Sequence, residues 1–124
     1  YEALLVNREG FITEGSRSNI FFVTEEGVIH TAPDSMVLSG ITRRYVTEII
    51  RSEGIPLVTD AVREDGLSGF RSAFLTGTSP MVLPVRSIEG QRFDVSNKVT
   101  LRLRELYSEQ VESSIRAYLD GNEA

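Results

Sequence analysis

At 124 residues the chain is long enough for one domain with a genuine core and too short for two. Its composition, 40% hydrophobic and 25% charged, is that of a soluble globular protein, and no apolar run approaches the length of a membrane span. The formal net charge of -5, with scattered basic residues, argues against a nucleic-acid footprint, while zero cysteines exclude disulfides and thiolate metal sites and fit a reducing cytoplasm.

Tyr1, not methionine, stands first, and Glu2-Ala3-Leu4-Leu5-Val6 reads as a strand already under way, so the chain is expected to continue a longer polypeptide. The turn signal Asn7-Arg8-Glu9-Gly10 pairs this strand with Phe11-Ile12-Thr13 as a hairpin. Asn19 to Val23 is a third strand, and Thr24-Glu25-Glu26-Gly27 turns the chain into Val28-Ile29-His30-Thr31. His30 is the single histidine; without partners of its kind it reads as a strand residue, and no metal site is expected.

Pro33, Asp34 and Ser35 mark a loop. The spacing of Ile41, Val46, Ile49 and Ile50 then predicts a helix capped by Ser39 or Thr42 and stopped by Gly54 and Pro56. Pro56 to Thr59 reads as a short strand, and Arg63 to Ser68 as a polar connector of no assigned form. Ser72 to Thr76 is an apolar strand; Met81 to Val85 is extended, with Pro84 arguing for an edge; Ile88 to Phe93 is a hairpin around Gly90. From Val99 to Leu119, Leu101, Leu103, Leu106, Tyr107, Val111 and Ile115 recur at helical spacing in an amphipathic closing helix, and the tail from Asp120 to Ala124 should fray.

Three stretches carry more polar chemistry than their elements require. Phe11 to Phe22 places Glu14, Ser16, Arg17, Ser18 and Asn19 around Gly15 between two strands, able to converge at one sheet end. A solvated hairpin with Glu14 facing water is the competing reading. Ser39-Gly40-Ile41-Thr42 lies where a loop enters a helix, so free backbone N–H groups and the positive end of the helix dipole point outward together. Gly77-Thr78-Ser79 adds a glycine and two hydroxyls after a strand. Each of the last two is also an ordinary cap or turn composition.

Taken in order, Glu14-Gly15 with Ser18-Asn19, Leu38-Ser39-Gly40-Ile41-Thr42-Arg43, and Phe74-Leu75-Thr76-Gly77-Thr78-Ser79 with Pro84-Val85 resemble the class-IV aminotransferase family, over nearly the whole chain. These fold-type-IV enzymes use pyridoxal phosphate and include branched-chain and D-amino-acid aminotransferases and aminodeoxychorismate lyase. The resemblance implies an α/β fold whose mixed sheet is partly curled into a barrel with two or more flanking helices, as in the large domain of D-amino-acid aminotransferase. It implies that Glu14 pairs with the pyridine nitrogen of the cofactor, that Ile41 and Thr42 bind its phosphate with Thr78 as a second contact, and that Leu38 packs on the ring. Ser18, Gly40 and Gly77 complete the cofactor set, Asn19 supports the loop behind Glu14, Ser79 lies on the substrate side, and Arg17 is either a substrate contact or a surface charge.

The family's Schiff-base lysine lies upstream of the glutamate motif. The single lysine here, Lys98, opens the closing helix and reads as a solvated residue. Residues 1–124 are therefore expected to be one domain, the C-terminal cofactor-binding part of a longer enzyme, inactive without its N-terminal domain and that lysine. The whole enzyme would move an amino group between an α-amino acid, branched-chain or D, and a 2-oxo acid, as a cytoplasmic homodimer without membrane or nucleic-acid partners. A lyase of the aminodeoxychorismate type, or a non-catalytic binding module that kept the fold, remains open.

Overall fold

A computed structural model describes residues 2–38, 40–78 and 81–121. The chain runs through β1 (Leu4–Val6), β2 (Phe11–Gly15), β3 (Asn19–Val23), β4 (Ile29–His30), α1 (Ile41–Ser52), β5 (Leu57–Val58), β6 (Val62–Arg63), β7 (Ser72–Gly77), β8 (Met81–Pro84), β9 (Ser87–Ile88), β10 (Gln91–Arg92) and α2 (Lys98–Leu119). Five strands form the main sheet in the order β5-β4-β3-β7-β8, antiparallel except for the parallel pair β4 and β5. β1, β2 and β6 make a second, antiparallel sheet, and β9 with β10 a hairpin.

β3 is buried along its whole length because both faces of the main sheet are covered. Alternation along the strand sends Phe21 and Val23 into a core with Val46, Ile49 and Ile50 of α1 and Leu103 and Tyr107 of α2. Ile20 and Phe22 go to the opposite core with Ile12, Val62, Leu67, Ala73, Leu75 and Phe93. The cross-strand partners Phe21 and Phe74 stack with ring centroids 4.9 Å apart, an arrangement that adds to their area burial. His30 is a strand residue lying edge-on to Phe70.

The mixed α/β architecture follows the sequence pattern, while the hydrogen-bonded ladders separate into three sheets and close no barrel among the described residues. Pro84 ends β8 on the outer edge of the main sheet, where a missing donor breaks no ladder bond. Gly54, at φ +71°, ends α1 in the left-handed conformation. The connector from Arg63 takes a definite form, the end of β6 followed by a 3-10 turn over Glu64–Gly69. Its polar composition concealed that turn, since 3-10 segments bury little and carry no long period.

Three expectations about the helices need correction. The N-cap of α1 is Gly40, without a side-chain cap; Thr42 stands inside the helix, and Ser39 lies outside the described residues. Ile41 is 75% exposed and belongs to no core. In α2 only Thr100, Leu103 and Tyr107 are buried, with Leu106 and Val111 packed at the core's margin, and Ile115 is exposed. Asn97 caps α2 through Oδ1, which accepts from the N–H groups of Val99 and Thr100. Of the tail, residues 122–124 lie outside the described residues.

Candidate functional site

β2 ends at Gly15, β3 begins at Asn19, and the three residues between them turn the chain at the rim of a cavity of about 230 Å³. That cavity brings together Glu14, Arg17, Ser18, Asn19, Leu38, Gly40, Ile41, Thr42, Gly77 and Thr78, residues drawn from three separate stretches of sequence. Ser79 lies outside the described residues. Lys98 opens α2 as an exposed residue and is not part of the lining.

The strands and α1 present unlike chemistry to this space. Glu14 Oε1 accepts a 3.1 Å hydrogen bond from the Leu38 N–H, which fixes the carboxylate at the rim. Asn19, itself buried, donates through Nδ2 to the Leu38 carbonyl at 3.3 Å. Leu38 thus enters by its backbone, while its side chain is 84% exposed. Two residues later the N-terminus of α1 opens with no side-chain cap and no acidic residue in its first turn, so its N–H groups and dipole favour an anion.

Two glycines lie close against side chains of the site, Gly15 in the turn and Gly40 at the N-cap of α1. A Cβ on Gly15 would stand 2.3 Å from Ser18 Oγ, and one on Gly40 3.3 Å from Asn19 Oδ1. Thr42 is buried and its hydroxyl lies 3.4 Å from the Tyr107 hydroxyl, tying α1 to α2. Thr76 also lines the cavity, and its buried Oγ1 has no hydrogen-bond partner among the described residues, an uncommon state for a native hydroxyl.

Sequence reasoning missed three supporting residues. Glu2, read as the beginning of a strand, accepts hydrogen bonds from Ser16 Oγ, Ser18 Oγ, the Arg17 N–H and the Ala3 N–H. These donors, the Ser16 hydroxyl foremost, lower its pKa to about 2. Arg43, only 4% exposed, lines the cavity but directs its guanidinium outward, to Asp34 Oδ1 and the Ala32 carbonyl, and holds the Asp34 carboxyl below the usual carboxylate range. Thr76 read only as a strand residue. A hydroxyl in a strand carries no signal of being unpaired, and the Glu2 contacts span 14 to 16 residues, beyond any local pattern.

Known proteins resemble this chain over most of its length. The sequence model of the family described as Amino-transferase class IV matches residues 1–88. A branched-chain-amino-acid aminotransferase of Pseudomonas aeruginosa is 31% identical over 121 residues, 96% of this chain but 39% of that protein. A D-alanine aminotransferase of Bacillus licheniformis is 39% identical over 92 residues, covering 73% of this chain and 32% of its own length. Among solved structures, a branched-chain amino acid aminotransferase from Thermobaculum terrenum in its PLP form superposes with a TM-score of 0.82 at 32% identity, over 89% of this chain and 37% of that one. The chain therefore spans about two fifths of the length of the relatives it matches. With the match reaching over residues 1–88, the chain belongs to the class IV aminotransferase family.

Proposed function

We propose that the chain is the cofactor-binding part of a pyridoxal phosphate-dependent aminotransferase that moves an amino group between a branched-chain or D-amino acid and a 2-oxo acid. The observation that supports this most is the meeting, in one cavity, of an uncapped helix N-terminus suited to a phosphate and a fixed carboxylate suited to a cation. The Thr76 hydroxyl, without a hydrogen-bond partner among the described residues, fits a ligand of that kind.

Pyridoxal phosphate, when bound, supplies an electron sink that eases loss of the α-proton. In this reading the backbone N–H groups of Ile41, Thr42, Gly77 and Thr78 hold the phosphate. Glu14 holds a proton on the pyridine nitrogen, with the Leu38 N–H restraining the carboxylate. Asn19 fixes the same Leu38 from its carbonyl side, and the exposed Leu38 side chain offers the ring an apolar surface. Ser18, Gly40 and Gly77 keep the backbone path, and Arg17 and Ser79 are the substrate-side residues.

The remaining three fifths of a typical relative's length leaves room for an upstream domain that carries the cofactor lysine, strands that curl the sheets toward a barrel, and a homodimer interface. The lack of cysteine accords with a cytoplasmic site, and among the described residues no helix is long and apolar enough to cross a membrane. Titration of the full-length protein with pyridoxal phosphate tests the reading. Saturable binding that inorganic phosphate competes away, and that Ile41→Pro weakens by removing one backbone donor at the first helical position, where proline is tolerated, is the expected result; no binding by the unaltered protein would sink it.

A further inference from the structure

Glu2 stands outside the cofactor set, yet its carboxylate is saturated. A carboxylate has about four acceptor positions. Oε1 takes the Ala3 N–H and the Ser16 hydroxyl, while Oε2 takes the Arg17 N–H at 3.1 Å and the Ser18 hydroxyl at 2.8 Å. Two backbone bonds close around it, Gly15 N–H to the Ser18 carbonyl and Ser16 N–H to the Ala3 carbonyl. Gly15 is held so close that a Cβ there would come within 2.9 Å of Glu2 Oε2. A solvated surface carboxylate is not gathered in this way.

The turn it gathers separates the two side chains that grip Leu38. Glu14, just before the turn, accepts from the Leu38 N–H, and Asn19, just after it, donates to the Leu38 carbonyl. Any change in the path from Gly15 to Ser18 alters the separation of these two grips. Leu38 stands two residues before the N-cap of α1, so its position also sets where the anion-binding end of that helix lies relative to Glu14.

We propose that Glu2 is a positioning residue whose carboxylate fixes the turn between Glu14 and Asn19 and thereby places Glu14 and the α1 N-terminus for the cofactor. The assignment rests on the cofactor reading above for its purpose, but its mechanical content is independent of it. Glu2→Gln keeps the size while replacing one acceptor oxygen with an NH2 group, which cannot accept from a backbone N–H and a hydroxyl.

Hydrogen–deuterium exchange by mass spectrometry on the full-length protein, free of cofactor, reads the effect directly. In Glu2→Gln the segments carrying Arg17 and Leu38 are expected to exchange about tenfold faster, the scale of losing one charge-assisted hydrogen bond, while the segment carrying β7 is unchanged. Faster exchange at Arg17 with Leu38 unchanged would reduce Glu2 to a staple on the turn, and uniform acceleration would make it a general stability residue; either overturns the proposal. Should Glu2→Gln fail to fold, Ser18→Ala removes one of the four contacts and is read by the same rule. A pyridoxal phosphate titration run alongside should give Glu2→Gln about tenfold weaker affinity at an unchanged fold. If the unaltered protein binds no pyridoxal phosphate, the cofactor reading falls while the exchange data still decide whether Glu2 positions Glu14.

Discussion

Glu14 uses one carboxylate oxygen on the Leu38 N–H, and among the described residues the other has no hydrogen-bond partner. Glu14→Gln can keep that bond, more weakly, since an amide oxygen also accepts, and it removes the negative charge. In the full-length enzyme it should lower kcat by about two orders of magnitude, the scale of losing one preorganised electrostatic partner, with cofactor still retained. Near-native turnover would return Glu14 to an ordinary strand residue. Thr76 makes the complementary case: Thr76→Val deletes a buried hydroxyl without a partner among the described residues, so the ligand-free protein should gain up to about 1 kcal/mol while phosphate affinity falls. Calorimetric unfolding with and without phosphate measures both signs. Glu14, Asn19, Thr42 and Thr78 were legible in the sequence because each lies in a short polar run interrupting an apolar one. Glu2 and Thr76 were not, since a carboxylate at a strand start and a hydroxyl within a strand acquire meaning only from neighbours brought by folding.

At the level of elements, the hairpins and both helices follow from turn residues and apolar spacing, whereas the use made of α2 does not. Its apolar period continues to Ile115, but burial stops at Tyr107, and sequence period carries no information on where a partner surface stops. The turn between β2 and β3 is the element most sensitive to change. Gly15→Ala must displace Ser18 Oγ from a position fixed by Glu2, so a loss of about 1 to 3 kcal/mol is expected by urea denaturation. The same turn predicts an acid response. The folded pKa of Glu2, about 2, lies below that of a free glutamate, so its contribution is complete above the free value and disappears as pH falls toward 2. Asp34, exposed at 85% but paired with buried Arg43, acts in the same direction. Denaturation midpoints measured from pH 5 downward should fall less steeply in Glu2→Gln than in the unaltered protein, and equal slopes would contradict the assignment.

The whole chain has a core on each face of its main sheet, one under α1 and α2 and one against the second sheet, and the cavity lies where these layers meet the two turns. Glu14, Asn19, Ile41, Thr42 and Gly77 of that cavity are carried by strands and a helix that pack within these residues, and in the proposed reading the α1 N-terminus supplies phosphate donors. Covalent capture is different. The chain's single lysine is exposed at the first residue of α2 and is not among the residues that line the cavity. The isolated chain should bind pyridoxal phosphate reversibly, in competition with inorganic phosphate, and should transfer no amino group between an amino acid and a 2-oxo acid. Borohydride reduction followed by mass spectrometry should find no stoichiometric adduct on the isolated chain, and one adduct per chain on the full-length enzyme at a lysine upstream of Tyr1. A stoichiometric adduct at Lys98 accompanied by turnover would move the nucleophile to α2 and require a different cavity for the chemistry.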